Sequence, residues 1–158
     1  MKTSASIISL LAWIAISFVP AFVGSQFMPG EWYSQLRKPS WTPPGYVFGP
    51  VWSFLYLSMG VAAWLVWKRG GYMAAPVALT LFFIQLMFNG IWSWLFFGIH
   101  RPDLAFVDIT ILWCLILATG IAFWRQSIPA GALLVPYFLW VSFAAILNFS
   151  IWRLNSGG

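Results

Sequence analysis

Charge is what this chain lacks. Of its 158 residues only 7% are Asp, Glu, Lys or Arg, where a soluble domain carries about 25%. A water-facing surface cannot be built from that supply. With 61% hydrophobic residues and a mean hydropathy of +0.85, the composition excludes a soluble protein and points to the membrane. The single cysteine, Cys114, excludes an intrachain disulfide, and no Cys/His cluster has zinc spacing, so no metal site is expected. The lone histidine, His100, leaves bis-histidine haem ligation and His-based catalysis without their residues. The net charge of +5 rests on scattered cations, not on a basic stripe. Anionic lipid headgroups answer that pattern better than nucleic acid does.

What the chain has instead is length without charge. Five apolar stretches, approximately 6–27, 46–67, 76–98, 104–124 and 129–152, are each long enough to cross a hydrocarbon core roughly 30 Å thick. Lys68-Arg69-Gly70-Gly71, His100-Arg101-Pro102-Asp103 and Arg125-Gln126-Ser127 mark three of the breaks. Pro76 and Pro129 stand near helix starts, where a missing N–H costs nothing. The fold class is therefore an all-α integral membrane protein, a single domain over 1–158 built as a bundle of five transmembrane helices. The first stretch, with Lys2 before an apolar run and Ala21-Phe22-Val23 after it, also has the look of a secretory signal peptide. Its apolar run outlasts an ordinary signal core, so a retained helix is expected. Orientation stays open: Lys2, Lys68, Arg69 and Arg125 stand against Arg37, Lys38, Arg101 and Arg153, and the positive-inside rule ties.

The longest connection, 28–45, is unlike a surface loop. It holds Trp32, Tyr33, Trp41, Arg37, Lys38 and the prolines Pro39, Pro43 and Pro44. Each proline fixes φ and biases its predecessor toward an extended conformation, so the loop is stiff. Stiff aromatics lose little entropy on holding a flat apolar ligand, which makes the loop a candidate lid.

Polar residues inside the spans orient the helices, because each needs a partner or a cavity. Gln85, Asn89, Trp92 and Phe96 share one face of the third span. Trp140, Ala144 and Asn148 form a stripe on the fifth, with Tyr137 beside it, and Trp52, Leu55, Tyr56 and Met59 do so on the second. The plainer readings are interhelical glue for Gln85 and Asn148 and an interfacial belt for Trp32, Trp41, Trp64, Trp67, Trp124 and Trp152. Trp13 and Trp113 are read as packing on neighbours or facing lipid. Asp108, in the second turn of the fourth span, reads as a pairing or capping residue, and Cys114 as a small buried one. Ala74, Ala75 and Ala78 give a small-residue patch of the kind helices associate through.

Trp32 to Pro44, read whole, resembles the signature of the tryptophan-rich sensory protein/translocator protein family, also called the peripheral benzodiazepine receptor family. Phe22-Val23-Gly24-Ser25 before it and Gly49-Pro50-Val51-Trp52 with Leu55-Tyr56 after it extend the match. Gln85-Leu86, Asn89, Phe96-Phe97-Gly98, Ala105-Phe106-Val107-Asp108, Pro136-Tyr137, Trp140 and Leu147-Asn148 carry it through nearly the whole chain. The resemblance implies a five-helix bundle, usually a homodimer, with a pocket closed by the first loop. It implies no required cofactor; porphyrins such as protoporphyrin IX and haem-like tetrapyrroles enter as ligands, as do sterols and benzodiazepine-site drugs. Trp32, Tyr33, Pro43, Pro44, Trp52, Asn89, Trp140 and Ala144 match pocket positions, and the helix faces add Trp92 and Asn148. Some bacterial members are associated with light-dependent porphyrin breakdown, with tryptophans matching Trp52 and Trp140 implicated as catalytic. The sterol pattern of animal members wants a tyrosine where this chain has Phe149, between Leu147 and Arg153, which argues against strong sterol affinity. Without a basic tail after Asn155, the chain reads as a bacterial member in a bacterial cell membrane.

The leading expectation is thus a membrane binding and sensing protein for porphyrins and other flat apolar ligands, linked to tetrapyrrole homeostasis and stress. Its alternatives are a light- and oxygen-dependent porphyrin-degrading enzyme, a porphyrin or sterol transporter, and a scaffold. The transporter reading lacks an inverted repeat or an intramembrane charge relay, since Asp108 stands alone.

Overall fold

The computed structural model describes residues 3–157, so Lys2 and Gly158 lie outside the described residues. Those residues form helices α1 (Thr3–Ser17), α2 (Val19–Ser25), α3 (Glu31–Gln35), α4 (Gly45–Trp67), α5 (Pro76–Ser93), α6 (Pro102–Gln126), α7 (Ile128–Leu133) and α8 (Val135–Asn155). Five spans, Thr3–Ser25, Gly45–Trp67, Pro76–Gly98, Pro102–Gln126 and Ile128–Asn155, are long and apolar enough to cross a membrane.

Two spans are broken, and proline is the cause both times. Pro20 has no N–H for the Ile16 carbonyl, so the chain pauses at Phe18, whose N–H lies 3.2 Å from both the Ile14 and Ala15 oxygens. The Ser17 hydroxyl donates to the Trp13 carbonyl at 2.9 Å and satisfies one acceptor near the break. Pro136 does the same to the fifth span, separating α7 from α8 at Leu134. The third span ends in a π-helical turn, Trp94–Gly98, closed by the Ile99 N–H on the Trp94 carbonyl at 2.9 Å. Such turns are frequent at functional sites.

The break in the first span matters for the architecture. α1 packs on α4, whereas α2 leans onto α5; α6 packs on α5, α7 and α8, and α4 packs on α7. At one end, therefore, α4 is held between α1 and α7. Toward the other end its neighbours α2 and α8 lie against α5 and α6, and the bundle opens. Gly60 sets the closed end, since a Cβ there would come within 2.6 Å of the Ile14 Cα. Trp13, Phe82 and Phe123 fill the core there, with Phe82 and Phe123 stacked at 5.7 Å.

Three sequence expectations need correction. Cys114 is exposed on the outer face of α6; its buried neighbour is Leu112. Ala74 precedes α5 and is exposed, while Ala75 and Ala78 are buried within the bundle, so no continuous small-residue face is offered. Asp108 is buried, yet nothing pairs with its Oδ2.

Candidate functional site

The opening at the end of the bundle is roofed by residues 28–44 and encloses a cavity of about 680 Å³. The roof is more ordered than a loop. It contains the single-turn helix α3, and a turn in which the Thr42 N–H and hydroxyl both reach the Pro39 carbonyl. Tyr33 presents its ring edge-on to Phe96 and Phe97, and Trp41 does so to Phe143. Trp32 stacks flat on His100, with centroids 4.2 Å apart and planes 10° apart. His100 holds φ at 55°, a left-handed conformation unusual for a non-glycine residue, and this ends the π turn beneath the roof. Phe96, Ala105, Leu147 and Ile151 are buried under these aromatics and form a second small core.

Polar contacts fasten the roof at its rim. The Arg37 N–H donates to Asn155 Oδ1 at 3.0 Å, and Asn155 Nδ2 donates back to the Arg37 carbonyl at 2.9 Å. One amide at the end of α8 thereby clamps both backbone groups of a single lid residue. Lys38 Nζ lies 4.4 Å from the centre of the Tyr33 ring and 3.3 Å from the Leu36 carbonyl it donates to. Burial raises the Tyr33 phenol above its ordinary pKa, so the ring beneath the ammonium stays neutral.

Of the residues singled out from the sequence, Tyr33, Pro43, Trp52, Asn89, Trp92, Trp140, Ala144, Leu147 and Asn148 all line the cavity. Trp32 and Pro44 are in the roof but not on its inner surface. Phe149 and Arg153 point elsewhere: Phe149 packs on Phe106 and Trp152, and Arg153 is exposed. Tyr56, Phe48 and Lys38 also line the cavity.

The polar residues of the wall are largely bonded to one another. Tyr56 donates to Asn89 Oδ1 at 2.7 Å, Asn89 Nδ2 donates to the Tyr137 hydroxyl at 2.7 Å, and Tyr137 donates to Gln85 Oε1 at 2.8 Å. This chain ties α4, α5 and α8 across the floor of the cavity. Farther up, Trp92 Nε1 donates to Asn148 Oδ1 at 2.9 Å, and Asn148 Nδ2 donates to the Pro102 carbonyl at 2.8 Å. Gln85 and Asn148 thus make the interhelical bonds that a polar side chain in hydrocarbon needs. Asn89 keeps one N–H beyond those bonds. Trp52 is stacked on Tyr56 at 5.4 Å, and Trp92 on Phe96 at 5.0 Å. Trp140, tilted against Phe143 and edge-on to Phe48, differs: its buried Nε1 has no acceptor.

Small residues leave one flank of the cavity thin. Gly45, Gly49 and Ser53 recur every fourth residue on α4, opposite Ala21, Gly24 and Ser25 of α2, and all of them line it. A Cβ at Gly45 or Gly49 would meet nothing within 4 Å.

The fold and site together define a multi-pass helical integral membrane protein with an aromatic, lid-covered apolar pocket at one end. The comparisons with known proteins make the class specific. The model of the TspO/MBR family matches residues 7–153, and the chain belongs to that family. It is 46% identical over 156 residues to the tryptophan-rich protein TspO of Chlorobaculum tepidum, covering 94% of this chain and 97% of that one. It is 44% identical over 141 residues to the translocator protein of Homo sapiens, covering 86% and 83%. With the tryptophan-rich sensory protein of Cereibacter sphaeroides the identity is 39% over 145 residues, covering 92% and 90%. Family membership agrees with a membrane sensing and binding role.

Proposed function

We propose that this protein binds and senses porphyrin-like ligands, flat apolar molecules with a few polar substituents, within a bacterial cell membrane. The observation that carries the reading is the cavity of about 680 Å³ whose walls are Trp52, Trp92 and Trp140 and whose roof is clamped aromatic chain. That volume lies within the ordinary range for small-molecule sites. The rigid indoles supply flat surface at little entropic cost. The spare Asn89 N–H offers a donor to an acceptor on the ligand, and Lys38 at the rim suits a carboxylate substituent. Titrating the purified protein with protoporphyrin IX in the dark, and following tryptophan quenching, tests the reading. Replacing Trp52 and Trp140 together by Phe should weaken the quenching curve, and an unchanged curve would sink the assignment.

A catalytic variant of this reading is favoured by the position of Trp52 and Trp140, both on the wall of the same cavity. Illumination in air should then produce a new absorbing product with the wild-type protein and none with the double variant. Bleaching equal to that of porphyrin in empty micelles excludes it.

A further inference from the structure

A second hollow lies at the opposite end of the molecule, on the outer face, where α6 meets the break between α7 and α8. It measures about 300 Å³. Its floor is Ile116 and Leu134, both almost fully buried, and Phe138 forms one wall. Gly120 supplies the space, because a Cβ there would have nothing within 4 Å. Trp124 and Arg125 stand at its upper edge. The contact that shapes this edge is tight: a Cβ on Gly131 would come within 2.7 Å of the Trp124 Cα, so α7 fits closely against α6 there.

Arg125 is the one charged residue of this hollow, in the last turn of α6. It is exposed and has no acid to pair with, since the single ion pair among the described residues joins Arg101 to Asp103. The chain's three acids are Glu31, Asp103 and Asp108. Asp103 stands at the far end of α6, roughly 33 Å away at 1.5 Å per residue, and Glu31 is in the lid. Among the described residues, the charged side chains at the Arg125 end are Lys68, Arg69 and Arg125. An apolar slot that opens sideways to the bilayer and ends at an unpaired cation is complementary to one kind of molecule.

We infer that this groove is a seat for an anionic phospholipid, with one acyl chain between α6 and the α7–α8 elbow and the phosphate at Arg125. The chain itself gains little by leaving bilayer for groove, because both are apolar. Selection among lipids therefore rests on the net charge of the headgroup: the Arg125 cation attracts an anionic headgroup, whereas the choline of a zwitterionic one cancels the charge of its phosphate. The site is separate from the lid-covered cavity and does not depend on what that cavity holds.

The test is native mass spectrometry of the full-length detergent-solubilised protein titrated with phosphatidylglycerol or phosphatidylcholine of identical acyl chains. One cation near a membrane surface favours an anionic lipid by about fivefold, so wild type should retain phosphatidylglycerol over phosphatidylcholine by that factor. Arg125→Gln should remove the preference and Arg125→Lys should keep most of it. Gly120→Leu, which fills the slot, should lower retention of both lipids, with the thermal unfolding midpoint reporting that the variant is folded. Equal retention of the two lipids by wild type overturns the inference. So does unchanged phosphatidylglycerol retention in a folded Gly120→Leu protein, or cross-linking that places a second copy of the chain over the groove.

Discussion

Asn155 offers the sharpest way to separate the lid from the bundle. Its amide makes two bonds to the backbone of Arg37, at 3.0 and 2.9 Å. Each neutral hydrogen bond contributes about 0.5–1.5 kcal/mol net. The pair sits at an exposed rim where water replaces lost partners, so the lower part of that range applies to Asn155→Ala. A loss of about 1–1.5 kcal/mol corresponds to a roughly 5- to 12-fold rise in the open-lid population. The Trp32–His100 stack and the Tyr33 contacts remain, so the roof stays folded but opens more often. Hydrogen exchange resolved over residues 31–43 should therefore accelerate by that factor, while amides in α5 and the lower half of α4 keep wild-type protection. Release of preloaded protoporphyrin IX should quicken by a similar factor if opening limits escape. Lid exchange within twofold of wild type would show that the clamp does not govern opening. Equal loss of protection throughout the bundle would show that it is not local.

Three other perturbations follow from the same geometry. Trp140→Phe trims the aromatic surface of the cavity wall, so protoporphyrin IX affinity in a dark titration should fall severalfold, aromatic contacts of this kind being worth about 0.5–1.5 kcal/mol; an unchanged affinity would take Trp140 out of the contact. Gly60→Ala drives a methyl to within 2.6 Å of the Ile14 backbone; overpacking of this kind costs about 1–3 kcal/mol, and the unfolding midpoint in detergent should drop, whereas Gly49→Ala, in open space, should not lower it. Because burial raises the Tyr33 pKa, its contribution to lid stability is complete below the unfolded value near pH 10 and fades as pH climbs through the higher folded value; lid exchange corrected for intrinsic rate should rise there, and Tyr33→Phe should lessen that rise.

How far the chain could be read without coordinates depended on whether a feature was local. The spans were legible because hydrocarbon demands a run of apolar residues, and that demand is written in consecutive positions. The helix faces were legible because Gln85, Asn89 and Trp92 repeat at helical spacing. The breaks at Phe18 and Leu134 were foreshadowed by Pro20 and Pro136, but a proline inside an apolar run does not say whether its helix bends or stops. The π turn at Trp94–Gly98 leaves no compositional mark. Cys114 looked buried by residue type, and only the contacts of α6 show that its face is the outer one. The clamp was out of reach for a plainer reason: Asn155 and Arg37 are 118 positions apart, and an exposed asparagine near a helix end has an ordinary explanation as a cap.

Asn89 shows what such reading misses even where it chooses the right residue. From spacing alone its amide appears free to meet a ligand. In the folded protein Oδ1 is taken by Tyr56, and one N–H by Tyr137, which is itself held by Gln85. The residue is first a joint among α4, α5 and α8 and only then a donor to the cavity. A hydrogen bond between membrane helices averages about 0.6 kcal/mol, so Asn89→Leu, which breaks two, should cost about 1 kcal/mol of stability as well as any ligand contact. Asn89→Asp keeps an acceptor for Tyr56 but loses the donor to Tyr137. The two variants would lower ligand affinity alike if Asn89 acts through its N–H to the ligand, and differ if it acts by holding Tyr56 and Trp52 in place. Parallel dark titrations of the two, normalised to their unfolding midpoints, decide whether the floor of the cavity recognises its occupant or only shapes the room.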